Sequence, residues 1–403
     1  MGRSSLRRGA VCAAALICIV ALALYSCRDS NLGSEDARRT TMFHNFATDA
    51  ELLAMLKEGK NLRALDLRGS EVTDTGLAYL AQFRQLRILD LSYTGVTNAG
   101  VMRLKAIDSL QELNLSHTQV TDRVLVELAR MGNLRGLRLG GTRITDAGLA
   151  ILRDMKKLRL LGLEGTKVTD SGLKYLQEMK GLVTLSLGGT QVTEAGLALL
   201  REMKCLHRLD LFDLPLTENG VSYLSQMQNL QTLHLGYDNV TDAGLSMLNK
   251  IGGLKTLSLV ATEVTDAGMA SLKDMKSLDS LDLGDSRVTD AGLVDLAKLR
   301  TLRQLYLNDT RVTDAGLAHL MGMRRLQMLD LSRTGVTDGG LTYLKKLRSL
   351  QTLVLTDIAV TDSGAAELAQ LKGLKRLDLI GTHITDDGLA HLKAALPNTD
   401  VVR

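Results

Sequence analysis

Residues 158–181 read Leu158-Arg-Leu-Leu161-Gly-Leu163-Glu-Gly-Thr166-Lys-Val168-Thr169-Asp170-Ser-Gly172-Leu173-Lys-Tyr-Leu176-Gln-Glu-Met179-Lys-Gly181, and this frame recurs every 24 residues from Leu62, fourteen times without an insertion. A repeat that keeps register this long is one structural unit copied along an axis. Leu161 and Leu163 stand two apart, so a short strand points both to one side. Leu173, Leu176 and Met179 stand three apart and fit one face of a short helix. Each unit is therefore strand, turn, helix.

The twelfth place of the frame is Thr in all fourteen copies, from Thr73 to Thr385, and the next residue is acidic in all but one, Asn98. A Thr side chain accepts an N–H of the first helical turn, and a carboxylate there complements the positive helix end. The pair reads as a helix start. A ladder of calcium-binding or catalytic aspartates is the weaker reading, because no copy has the alternating ligands and bidentate Glu of a calcium loop. Gly follows two residues after the acid in every copy except the third, which has Val124. A glycine inside a helix costs roughly 1 kcal/mol against Ala, so close packing of neighbouring repeats is the expected return.

One unit cannot bury its leucines alone, so the copies stack. The expected fold is α/β: a curved solenoid, or horseshoe, with a parallel sheet on the concave face and short helices on the convex face. At about 4.8 Å per strand the sheet would run on the order of 65 Å. The frame resembles leucine-rich repeats, whose core is Leu-x-x-Leu-x-Leu-x-x-Asn/Cys-x-Leu. It is most similar to the ribonuclease-inhibitor-like, cysteine-containing subclass found in F-box substrate receptors, through Val168, Thr169, Asp170, Gly172, Leu173 and Leu176. Two departures stand out. Thr94, Thr118, Thr142 and Thr166 occupy the Asn/Cys place, where a hydroxyl can bond turn backbone. Met131, Met155, Met179 and Met203 fill the second Cys place as flexible packing residues.

Outside the array, Thr48, Asp49, Leu52, Leu53 and Leu56 look like a capping half-repeat, and Asn398 and Val401 like the start of a fifteenth copy cut short. The expected organisation is a signal or anchor over 1–27, a polar linker over 28–47, a capping helix over 48–61, repeats over 62–397 and a truncated repeat over 398–403. Arg3, Arg7 and Arg8 precede an uncharged run from Gly9 to Tyr25, the layout of a secretory signal. Leu24-Tyr25-Ser26-Cys27 resembles the lipobox of bacterial lipoproteins, which implies lipidation at Cys27. Cleavage after Ala21-Leu22-Ala23 and an uncleaved anchor are the other two readings. All three place the repeats outside the cytosol.

Cys12, Cys18 and Cys27 belong to that segment, leaving Cys205 alone in the array, where it reads as a partly buried small residue. Net charge is +4, and basic residues such as Lys156, Lys157, Arg324 and Arg325 gather at the turn before each strand, near helix C-termini. The seven histidines fall at unrelated places in the frame, and no nucleophile elbow, phosphate loop or metal spacing accompanies them. The residues imply no enzyme, no cofactor and no nucleic-acid partner, and they leave the oligomeric state open.

What remains is binding, by a protein or peptide ligand on the concave face, with the N-terminal segment at a membrane. Candidate contacts are the side chains that abandon the common frame. Phe212 and Asp213, with His234 and Tyr237, form the first group, expected as an exposed aromatic anchor with the two rings within about 10 Å. Tyr93 and His117 add aromatic surface. Asp282, Asp285, Asp309 and Tyr306 form an acidic group over successive strands, beside Asn308, Asp330, Arg287, Arg311 and Arg333, and read more simply as a solvated face. A substrate-recognition subunit of a ubiquitin-ligase-like complex, which the resemblance implies, is the alternative, and a structural envelope protein the third.

Overall fold

The computed structural model describes residues 40–42, 48–57 and 62–403. Among them, sixteen strands of three residues each, β1 (Thr40–Met42) to β16 (Asp400–Val402), form a single parallel sheet in which every strand pairs with its sequence neighbours. The register advances by one repeat per strand: Leu161 stands beside Leu185, and Leu185 beside Leu209. The second and third leucines of each copy are sealed from solvent, as Leu161, Leu163, Leu185 and Leu187 show at 0% exposure. Helices such as Asp146–Leu152 and Asp170–Leu176 cover the far side of this layer. A helix is about twice as wide as the strand spacing, so the sheet lines the concave face of an open arc.

Thr145, Thr169 and nine other threonines of the twelfth place cap their helices, the hydroxyl accepting an N–H from the first turn. The acid beside each does more than complement a helix end. Asp146 accepts both the N–H and the hydroxyl of Thr169 in the next repeat, and Asp170 does the same for Thr193. The recurring glycine makes room for this carboxylate: a methyl group at Gly172 would collide with Asp146 Oδ1, and one at Gly196 with Asp170 Oδ1. Acid, threonine and glycine thus form one interlock between neighbours.

The exceptions to the frame fit this account. Asn98 meets Thr121 with its carbonyl on the N–H and its amide on the hydroxyl, and Val124 stands where Gly would be. There the helix begins as a 3-10 turn, Asp122–Val124, before four α-helical residues, Leu125–Leu128. At the Asn/Cys place, the threonines bond their own turn rather than one another: Thr94, Thr118 and Thr166 donate to the carbonyls of Leu91, Leu115 and Leu163. The methionines Met131, Met155, Met179 and Met203 are buried packing residues.

The ends differ from expectation in one respect. Thr40–Met42, inside the expected linker, pairs with Ala64–Asp66 as the first strand, so the N-terminal cover is a strand and a helix, Asp49–Lys57. At the other end the last strand places Val401 beside Leu377. Cys27 and the whole expected signal lie outside the described residues, among which no helix is long and apolar enough to cross a membrane.

Candidate binding face

The turn that leaves each strand carries the site. At the eighth place of the frame the backbone is left-handed in all fourteen copies. Five copies use glycine there, including Gly141, Gly165 and Gly189, and nine do not: Tyr93, His117, Asp213, Tyr237, Ala261, Asp285, Asp309, Arg333 and Asp357. A left-handed non-glycine residue costs on the order of 1–2 kcal/mol. The conformation is imposed by a ladder in which the eighth N–H of one copy donates to the seventh carbonyl of the next, as Tyr93 to Ser116 and Asp213 to Gly236. Six of the ten side chains singled out from the sequence therefore stand in one strained column along the rim of the sheet. The five glycines were the signal for it.

Two ring pairs form in this column. Tyr93 stacks on His117 with centroids 4.3 Å apart and planes 14° apart. Tyr93 is 52% exposed, the most exposed large apolar side chain of the array, while burial holds the His117 imidazole below its ordinary pKa. Phe212 and Tyr237 meet at 4.8 Å with a tilt of 53°, in a tilted contact favoured by aromatic quadrupoles. Phe212 is half-buried rather than exposed. A side chain at Gly236 would crowd its ring, and one at Gly188 its Cβ and backbone.

Beside that pair lies a group to which the sequence reading gave no role of its own. Asp238 takes the ninth place, where most copies have Thr or Ser, and is 3% exposed. Its Oδ1 accepts the Leu214 N–H at 2.7 Å, and its Oδ2 has no partner. Burial, with the nearby carboxylates of Asp213 and Asp210, pushes its carboxyl up to about 9. It is a neutral acid at pH 7. An Asp in a threonine column was the available signal. His234 faces the concave side on the same strand layer as Asp210.

The acidic group resolves differently. Arg333 holds Asp309 through two bonds of 2.6 Å and lies 3.9 Å from Asp357. Asp282 and Asp330 turn back on their own chains, accepting the N–H of Gly284 and Ser332, and burial raises both carboxyls above the ordinary range. Tyr306 hydrogen-bonds Gln304 at 3.4 Å. Asp285 stands in the left-handed column. Cys205 is exposed, not partly buried. It follows Lys204, whose ammonium binds the Arg201 carbonyl at a helix C-terminus, the role expected for the basic edge. His117 and His234 belong to different groups, and no cluster of metal-ligating side chains occurs among the described residues.

Among solved structures, an internalin from Listeria monocytogenes is 23% identical, with 88% of each chain covered and a TM-score of 0.47. A leucine-rich-repeat protein of Leptospira interrogans is 18% identical over 85% of this chain and 90% of its own, TM-score 0.45. TLR13 in complex with ssRNA13 is 18% identical over 85% of this chain and 56% of its own, TM-score 0.57. At these identities the likeness is one of fold. No curated protein matches the chain in sequence. The profile of the leucine-rich repeat region family matches residues 41–295, more than half of the chain, and the protein belongs to that family.

Proposed function

We propose that this is an exported, membrane-tethered binding protein that takes a protein or peptide ligand on its concave face and performs no chemistry on it. The observation that carries the reading is the Phe212–Tyr237 pair: an aromatic contact at the rim of the sheet, in a turn where several copies do without a side chain at the same places. Aromatic anchors of this kind dominate binding energy in interfaces. Short helices in nearly every copy support the ribonuclease-inhibitor-like subclass. Lipidation at Cys27 supplies the tether.

Proximity labelling from the intact protein in its own cell identifies the partner. Phe212→Gly with Tyr237→Gly should leave thermal stability nearly unchanged and lose that partner. Retained binding by the folded double variant overturns the assignment of the site. Cys27→Ala should release the protein from the membrane fraction or leave an unprocessed precursor, and a wild-type protein that is wholly soluble overturns the tether.

A further inference from the structure

The two ring pairs are separated by a floor of glycines. Between His117 in the third copy and Phe212 in the seventh, the eighth places are Gly141, Gly165 and Gly189. A side chain at Gly165 or Gly189 would meet only the backbone of the preceding glycine. Four strand steps of about 4.8 Å give roughly 19 Å, the length of about six residues of extended chain. Backbone can approach such a floor closely, with a ring pair at either end.

Charge marks the Phe212 end. In the later copies Arg333 pairs with Asp309 and lies near Asp357, whereas Asp210 and Asp213 beside Phe212 form no ion pair among the described residues. The Oδ1 of Asp210 only accepts the Phe212 N–H at 3.1 Å. Glu164 folds over Gly140 and Gly162 on the same floor, and the field of Asp210 opposes its ionisation, as it does that of Asp238. The Arg138 guanidinium acts on Glu164, so the carboxylates without an ion pair among the described residues at this end are those of Asp210 and Asp213.

We propose that the concave rim binds an extended basic segment of a partner polypeptide, an Arg or Lys side chain resting on Phe212 and Tyr237 between Asp210 and Asp213, and an apolar side chain about six residues away resting on Tyr93 and His117. The proposal rests on the concave-face reading above and names its ligand class. A cation gains from both ring faces and carboxylates, and a guanidinium more than an ammonium because it stacks and donates in a plane.

The test uses the full-length protein and fluorescent, amidated Gly/Ser octapeptides carrying Arg near one end and Leu about six residues away. Controls replace Arg by citrulline, its neutral isostere, or halve the spacing. The Arg peptide should bind about tenfold more tightly than the citrulline peptide, and Asp210→Asn with Asp213→Asn should erase that difference. Tyr93→Gly should weaken only the long-spaced peptide, and its folding is protected because glycine suits that backbone. Equal binding of Arg and citrulline peptides overturns the proposal, as does the absence of any peptide binding at about 1 mM, or binding of oligosaccharide or single-stranded RNA in place of peptide. If the Asp variants keep the partner that Phe212→Gly with Tyr237→Gly loses, the concave-face reading survives and the cationic ligand does not. If neither pair of changes affects that partner, both fail.

Discussion

Asp146 holds Thr169 of the next repeat by two atoms at once, Oδ1 on the N–H at 2.8 Å and Oδ2 on the hydroxyl at 2.6 Å. The Thr169 hydroxyl in turn accepts the Ser171 N–H at 3.2 Å, so a helix start and a repeat junction share one group. Gly172 lacks the atom that would break the arrangement.

A Gly→Ala change inside a helix ordinarily gains up to about 1 kcal/mol. Gly172→Ala should instead lose about 1–2 kcal/mol, because the methyl displaces Asp146. Asp146→Ser in the same chain should recover part of that loss. Urea unfolding of the two single variants and the double variant measures the coupling, and strictly additive costs would refute the interlock.

The core is one layer repeated, so damage should spread outward from its source. Leu209 is 1% exposed and sits between the strands of Leu185 and Leu233. Leu209→Ala should cost about 2–5 kcal/mol. Hydrogen exchange should show lost protection in the sixth and eighth copies as well as the seventh, since coupling is between nearest neighbours.

Ala261 has a left-handed backbone and makes no side-chain interaction that favours it. Ala261→Gly relieves the strain but adds freedom to the unfolded chain, for a net gain of about 0.5–1 kcal/mol. Thermal unfolding checks this. A loss of stability would mean the turn tolerates alanine without strain.

Asp238 makes stability depend on pH in a direction opposite to most carboxylates. The folded protein binds its proton more tightly than the unfolded chain, since burial pushes the carboxyl up to about 9. Stability should therefore fall as pH rises from the ordinary carboxylate range towards about 9, by at most about 1.4 kcal/mol per pH unit. Asp238→Asn keeps an oxygen for the Leu214 N–H and removes the titration. Its stability relative to wild type should climb between about pH 5 and pH 9, measured by chemical unfolding at each pH.

The fold was legible because its signals are local and repeated: leucines two apart, threonine before acid, glycine two places on. The role of the acid was not, because its partner is in the next turn of the solenoid and a carboxylate beside a helix start already has a sufficient local reason to be there. Thr40–Met42 was missed because the strand carries none of the leucines that mark the others. The meeting of Phe212 with Tyr237 follows from strand register alone, whereas the depth of Phe212 depends on glycines 24 residues to either side. Asp238 was given no role of its own because a polar residue replacing a threonine looks harmless until the turn above it is seen to bury it.

The left-handed column has a consequence for how such an array diversifies. The left-handed backbone suits glycine at every one of its positions. A side chain placed in the column starts from a deficit that contacts within the fold can offset, as Arg333 and Asp309 do through their ion pair. The five glycines mark the copies whose turn is unstrained, and the nine other residues mark those that carry a side chain at that cost. Side chains can be exchanged along it, one repeat at a time, on a backbone that already accepts glycine in five copies.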